Sequence, residues 1–502
     1  MKSYECTKFC DKFTRKTTHG SFSKMVFSSI VFIFYFLPVF LLLYYLTGAR
    51  NATLLTASAI FYVWGEGLYL FLLAALLLMN FWAGKQIADT HGKTRTWLLA
   101  LSVSANVIVL GFFKYSQFIV DTLSSIVGFQ SPHLGIHLPL GISFFIFQLI
   151  SYLVEVHRKT IAPENSLVRL STYVMMFPHL VAGPIVRYTD IEGELRSRTV
   201  GATMFGLGVQ YFIVGLCQKV MIANSVAPAA DHLFSLAPAD VTSVTAWIGT
   251  LAYTLQIYFD FCGYSNMAIG LAFMLGFRFP KNFDYPYSSK SITEFWRRWH
   301  MSLSFWFRDY IYIPLGGSRG GEYSTIRNLL IVFFVTGLWH GAAWTFVFWG
   351  MFHGLFVVLE RLFLKRVLDV SPALLARCYT LIVVMIGWVY FRANSFDQAW
   401  VIIKALAGFG AQAPAWQPYM IWMTPETVLA LIVGTILSFP VVPWLSRRLK
   451  LPAVSGSTEP GMHGRDAQDV HVLPALILVT GFVCCVFLLA SNSLNPFLYF
   501  RF

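Results

Sequence analysis

Apolar residues run along this chain in long blocks separated by short polar links. The clearest blocks cover residues 26–46, 68–83, 97–113, 204–222, 244–277, 329–348, 352–364, 381–391, 428–442 and 472–490. Blocks near 20 residues match the helix length needed to cross about 30 Å of hydrocarbon. The strict alternation that marks a membrane barrel is absent. The pattern predicts an all-α polytopic membrane protein with roughly ten to twelve transmembrane helices, together with re-entrant and interfacial helices.

Several segments depart from a plain crossing. Residues 54–64 either cross or dip, which leaves the orientation of the N-terminus open, and residues 115–129 form a shorter run placed partly in the interface. Residues 138–156 have spanning length but carry Ser143, Gln148, Ser151 and Tyr152, so this helix is expected to face protein rather than lipid. Pro178, Gly183 and Pro184 interrupt residues 173–186, which argues for a re-entrant element lining a cavity. His179 there is either a satisfied core histidine or a wall of a reaction chamber. Asp260 lies inside an apolar run, where a carboxylate is costly; it reads as a functional group or as a hydrogen-bonded anchor. No internal repeat supports the inverted-repeat plan of many transporters.

Composition sharpens this picture. Of 502 residues, 57% are hydrophobic and 12% charged, about half the charged share of a soluble domain. The formal charge of +13 falls in short links such as residues 85–95, the positive-inside pattern of an inner-membrane protein facing an anionic leaflet of membrane lipid. Nucleic acid is not the expected partner. Residues 1–24 hold Lys2, Lys8, Lys12, Arg15, Lys16 and Lys24 without apolar periodicity, and read as a disordered basic extension. Met25 is an alternative start, and residues 25–502 form one membrane domain. Residues 447–469 read as a flexible loop. The seven cysteines form no CxxC pattern, and no cleavable signal peptide precedes the first apolar block.

The chemistry concentrates in residues 279–354. Ser291 and Glu294 fit a capping box, so a helix should start at Ile292. On one continuous helix Trp296, His300, Leu303 and Phe307 share a face, and Arg297 and Arg308 share another. The cations Arg297, Arg298, Arg308, Lys281 and Lys290 suit a phosphate-rich donor such as a coenzyme A thioester; the alternative is an interfacial helix touching lipid headgroups. His340 follows Trp339 within an apolar run, and a neutral imidazole at that depth can take a proton from a hydroxyl and return it to a leaving group. The alternative is a histidine bonded to a backbone carbonyl. His340 and His353 are thirteen residues apart and, on a straight helix, do not share an ion; with no metal-binding motif present, no metal is expected. Phosphate-binding glycine loops and a nucleophile elbow are also missing, which favours direct transfer without a bound cofactor.

These residues resemble the membrane-bound O-acyltransferase family, in its bacterial branch that includes the alginate O-acetylase. The carriers are residues 178–184, 260–265, 279–283, 295–304, 312–317, 337–341 and 495–502. The resemblance implies a helical ring around a funnel, with His340 in the position of the essential histidine and His300 in the second polar position. It also implies acetyl-CoA as the probable acyl donor and periplasmic acetyltransferase partner proteins. The product would be an exported polysaccharide, alginate first and cellulose next, while relatives serving D-alanylation leave the acyl group open. Trp339, Trp296, Asp260 and His179 are expected to line the chamber. A polysaccharide export or transporter subunit is the competing class; a processive glycosyltransferase has only Arg298 and Trp299 in its favour.

Overall fold

The computed structural model describes residues 25–181, 183–412, 421–448 and 472–491. The basic extension 1–24, most of the loop 447–469 and the motif 495–502 lie outside the described residues. Helices account for all regular elements among the described residues. Among the described residues, five helices are long and apolar enough to cross a membrane: Tyr69–Asp89 (α1), Gly92–Val127 (α2), Ala202–Ser235, Trp344–Val370 and Ala373–Arg392. Shorter apolar helices include Phe32–Leu46 and Pro425–Leu437. The chain is an integral membrane protein.

Two expectations change. Residues 97–113 and 115–129 join in the single 36-residue helix α2, about 54 Å at 1.5 Å per residue. Nothing breaks it, because Lys114 at the junction turns inward. The basic link 85–95 is also no loop: α1 runs to Asp89 and α2 starts at Gly92, leaving Thr90 and His91 as a corner.

The protein-facing helix is confirmed. Ile142–Arg158 (α3) buries every residue from Phe144 to Leu153. The prolines interrupt their segment: the helix Leu167–Met175 ends at Met176, the short helix Phe177–Leu180 has Pro178 in its first turn, and residues 170–181 are buried. Residues 244–277 give one unbroken 32-residue helix, Ser243–Met274 (α5), buried continuously from Ala252 to Ser265. Its partner is the helix Ala202–Cys217 (α4).

Small residues set that contact. A Cβ on Gly215 would sit 2.4 Å from the Gly263 carbonyl oxygen, and one on Gly208 would sit 2.6 Å from that of Gly270. Seven residues separate the glycines on each helix, two turns, so the backbones touch along a seam. The same device joins Gly321–His340 (α8) to Trp344–Leu359 (α9). A Cβ on Gly337 would sit 2.4 Å from the Phe346 carbonyl oxygen, and one on Gly350 would sit 2.3 Å from that of Phe333. The seam fixes the last turn of α8, which carries His340.

The polar ends gather together. Arg95 donates to the Val156 carbonyl at 2.8 Å, and Arg158 donates to that of Asp309 at 2.9 Å. Asn328, early in α8, donates to the Gly317 carbonyl at 2.9 Å. The α1–α2 corner, the end of α3 and the start of α8 therefore share one end of the molecule, and α9 returns the chain to it.

Candidate active site

The predicted helix start at Ile292 is correct, and its continuation is not. Ser291 Oγ accepts from the Glu294 N–H at 3.0 Å, while Glu294 accepts from the Lys290 N–H at 2.8 Å rather than closing the box on Ser291. A second carboxylate completes the cap. Glu360, 1% exposed, accepts from the N–H groups of Ile292 at 2.5 Å and Thr293 at 2.8 Å, and from the Thr293 hydroxyl at 2.6 Å. An anion there suits the unsatisfied donors of a helix start.

The helix Ile292–Arg298 (α6) then stops, and Met301–Phe307 (α7) begins after a break. His300 takes the left-handed conformation, φ 44° and ψ 54°, which costs a non-glycine residue roughly 1–2 kcal/mol. Trp296, His300, Leu303 and Phe307 therefore do not share a helical face, and the aromatic-versus-cationic division of one helix does not exist.

An extended strip holds the break open. The Asp284 N–H donates to the Arg298 carbonyl and the Met301 N–H to the Asn282 carbonyl, both at 2.9 Å. The Asn282 side chain continues the grip. Its Oδ1 lies 3.1 Å from His300 Nδ1, accepts from the Ser302 N–H at 3.2 Å and accepts from the Ser302 hydroxyl at 2.9 Å. Its Nδ2 donates to Ser265 Oγ on α5 at 3.0 Å, and Ser302 Oγ accepts from the Ile185 N–H at 2.9 Å. The break is thus tied to α5 and to the proline-broken segment.

His300 is 1% exposed, and its Nε2 has no hydrogen-bond partner among the described residues. Phe261 closes on its ring with centroids 4.7 Å apart, and Trp339 stands 6.3 Å away. Trp339 also contacts His340, at 4.7 Å, so one indole touches both imidazoles. His340 is the last residue of α8. Trp349 at 4.9 Å and Phe391 at 5.2 Å complete its aromatic wall, the latter from Ala373–Arg392 (α10). The ring keeps 8% exposure, and no hydrogen bond joins it to any described residue. That leaves the bonded-to-carbonyl alternative without support.

Two residues that the sequence reading passed over hold this helix end. Lys114 Nζ donates to the Trp339 carbonyl and lies 3.5 Å from that of His340. Tyr115 donates to the Leu338 carbonyl at 2.8 Å. Terminal carbonyls of a helix need such partners. The clue was a lone lysine amid apolar residues. It was missed because Lys114 fell between two runs.

The other candidates separate. Asp260 pairs with Lys219 at 2.5 Å, both nearly fully buried, and Lys219 also donates to Asn224 at 2.9 Å, beside the α4–α5 seam. His179 Nε2 lies 2.9 Å from the Gln148 amide nitrogen, and its ring stacks on Phe279 at 5.4 Å. His179 is buried, and its Nδ1 has no hydrogen-bond partner among the described residues. Trp296 contacts His353 at 5.3 Å and Trp349 at 5.6 Å, joining the aromatic wall behind His340. Among the cations, Lys281 pairs with Asp284 at 2.8 Å, Arg298 with Glu294 at 2.9 Å and Arg308 with Asp309 at 2.7 Å. Arg297 and Lys290 are exposed and have no ion pair among the described residues. No group of three or more metal-ligating side chains occurs among the described residues.

A helical membrane protein with buried imidazoles in a shell of tryptophan and phenylalanine, His300 and His340 among them on one shared indole, is the class that the fold and site define. Residues 164–397 match the model of MBOAT, the membrane-bound O-acyltransferase family. The chain is 42% identical to the probable alginate O-acetylase of Azotobacter vinelandii over 512 positions, 95% of this chain and 100% of that one. It is 34% identical to the peptidoglycan O-acetyltransferase of Helicobacter pylori over 76% of this chain and 80% of that one. A teichoic acid D-alanyltransferase of Bacillus subtilis is 28% identical over 45% of this chain and 60% of that one. The chain belongs to the membrane-bound O-acyltransferase family, and it is an acyltransferase.

Proposed function

We propose that this enzyme sits in the bacterial inner membrane, takes acetyl from cytoplasmic acetyl-CoA, and passes it across for O-acetylation of an exported polysaccharide. The observation that carries the reading is the pair of buried imidazoles, His300 and His340, joined by Trp339 in a chain of this family. Alginate is the favoured polymer because the alginate O-acetylase relative is matched over its whole length; cellulose comes next. Acetyltransferase proteins on the periplasmic side would finish the transfer.

In the proposed step an acceptor hydroxyl attacks the thioester carbonyl. His340 takes the hydroxyl proton as the C–O bond forms, and returns it to the thiolate as the C–S bond breaks. The aromatic wall limits water at the reacting atoms, which disfavours hydrolysis of the thioester. His300 works at the same chamber from the broken helix. The donor phosphates would lie by Arg297 and Lys290, the exposed cations without carboxylate partners, while Lys281, Arg298 and Arg308 shape the surrounding surface.

The test uses membrane vesicles of both orientations, loaded with acceptor polymer in the lumen and given acetyl-labelled coenzyme A outside. Inside-out vesicles, which expose the cytoplasmic face, should consume the label, and sealed right-side-out vesicles should not. Equal consumption by both would remove the proposed route, and no consumption by either would remove acetyl-CoA as donor.

A further inference from the structure

Nothing in the family assignment says which nitrogen of His300 carries the proton; the hydrogen bonds around Asn282 do. A backbone N–H can only donate, so the Asn282 atom 3.2 Å from the Ser302 nitrogen is the carbonyl oxygen. The opposite end of the amide meets Ser265 Oγ at 3.0 Å, consistent with its being the NH₂ group. The side chain is therefore pinned at both ends. The same oxygen lies 3.1 Å from His300 Nδ1, and an oxygen that only accepts requires that Nδ1 carry the hydrogen. In the neutral ring Nε2 then holds the lone pair. That nitrogen is buried and has no partner among the described residues.

We propose that Asn282 is a positioning residue that fixes His300 in the Nδ1–H tautomer and leaves Nε2 as a buried acceptor beside the Trp339 indole that His300 shares with His340. The assignment divides the roles of the two histidines. A neutral His300 has its one N–H engaged by Asn282 and none left for the oxygen of a collapsing thioester; its Nε2 accepts a hydrogen bond from a second hydroxyl of the acceptor, which orients the reacting hydroxyl while leaving that group's proton to His340. The left-handed backbone at His300 follows from the same residue, because the Met301 N–H is held by the Asn282 carbonyl. Asn282 thus sets both the place of the ring and its proton. The role toward a hydroxyl rests on the acyl-transfer reading above; the tautomer does not.

The experiment separates the two. Full-length protein labelled with ¹⁵N-histidine in nanodiscs, at about pH 8 where histidine is neutral, should show a protonated Nδ1 and an unprotonated Nε2 for His300, identified by loss of its signals in His300→Gln. Asn282→Leu should abolish that pattern and lower kcat by about 100-fold, the scale of losing a proton-accepting group, with KM for the donor little changed. Asn282→Asp keeps the acceptor and should recover activity to within about tenfold of wild type. Its pH–rate profile should move to higher pH, since a carboxylate favours the protonated ring. If Asn282→Leu does not accumulate, the wild-type spectrum and Asn282→Asp decide. A protonated Nε2 in the wild type, an unchanged spectrum in Asn282→Leu, or Asn282→Asp as inactive as Asn282→Leu at normal protein level would overturn the proposal. A wild-type protein with the stated tautomer but no acetyl transfer would instead sink the proposed function.

Discussion

Lys114 donates to the main-chain carbonyl of Trp339, the residue that precedes His340 and touches both imidazoles. The contact joins the middle of the 36-residue α2 to the last turn of α8. Lys114→Met removes the amine's hydrogen bond, worth about 0.5–1.5 kcal/mol, and leaves the carbonyls beside His340 without it. Acetyl transfer should fall by roughly tenfold or more while protein level in the membrane stays near normal, and Lys114→Arg should recover part of the loss. Wild-type turnover by Lys114→Met would show that the helix end is held without it.

Gly350 offers a test of the α8–α9 seam. A Cβ there would lie 2.3 Å from the Phe333 carbonyl oxygen, and backbone cannot yield as a flexible side chain does. Gly350→Ala should destabilise the protein by roughly 1–3 kcal/mol through overpacking, seen as a lower Tm in detergent, and should reduce turnover by displacing Trp349 and His340. An unchanged Tm would mean that the helices separate freely.

The exposed and paired cations should differ in kind. Arg297→Ala or Lys290→Ala should raise KM for the donor by roughly tenfold, the worth of a charge-assisted hydrogen bond, with kcat and stability little changed. Lys281→Ala should instead loosen the strip around Asn282, because Lys281 is committed to Asp284, and should lower kcat. Steady-state kinetics with varied donor distinguishes them. Unchanged KM in both Arg297 and Lys290 variants would return that surface to lipid headgroups.

Thr94 and Lys290 are both exposed and, on the positive-inside argument, both cytoplasmic. With the native cysteines replaced by serine, Thr94→Cys and Lys290→Cys should resist an impermeant maleimide in intact spheroplasts and react once the membrane is opened. Labelling of either in intact spheroplasts would place the donor side outside the cell.

The sequence disclosed the class of fold because apolar blocks of spanning length and a deficit of charge need no tertiary information. It also located the stretch that carries His300 and His340. What it concealed was set by distant partners. The break at His300 is imposed by Asn282 and by backbone bonds from residues 282–284, whereas local spacing alone favoured one continuous helix. Glu360 caps α6 from 68 positions away. Lys114 looked like a gap between two apolar runs because its partners, the carbonyls of Trp339 and His340, lie more than 200 positions along the chain.

His340 stands at the end of α8 with its ring unbonded and enclosed by Trp339, Trp349 and Phe391, and the central claim is that this imidazole moves the proton during acyl transfer. The most direct measurement compares His340→Ala with wild type in proteoliposomes, reading label transferred from acetyl-CoA to acceptor at matched protein level and Tm. The account predicts a fall in kcat of about 10²- to 10⁴-fold with KM for the donor nearly unchanged. Transfer above half the wild-type rate would contradict it.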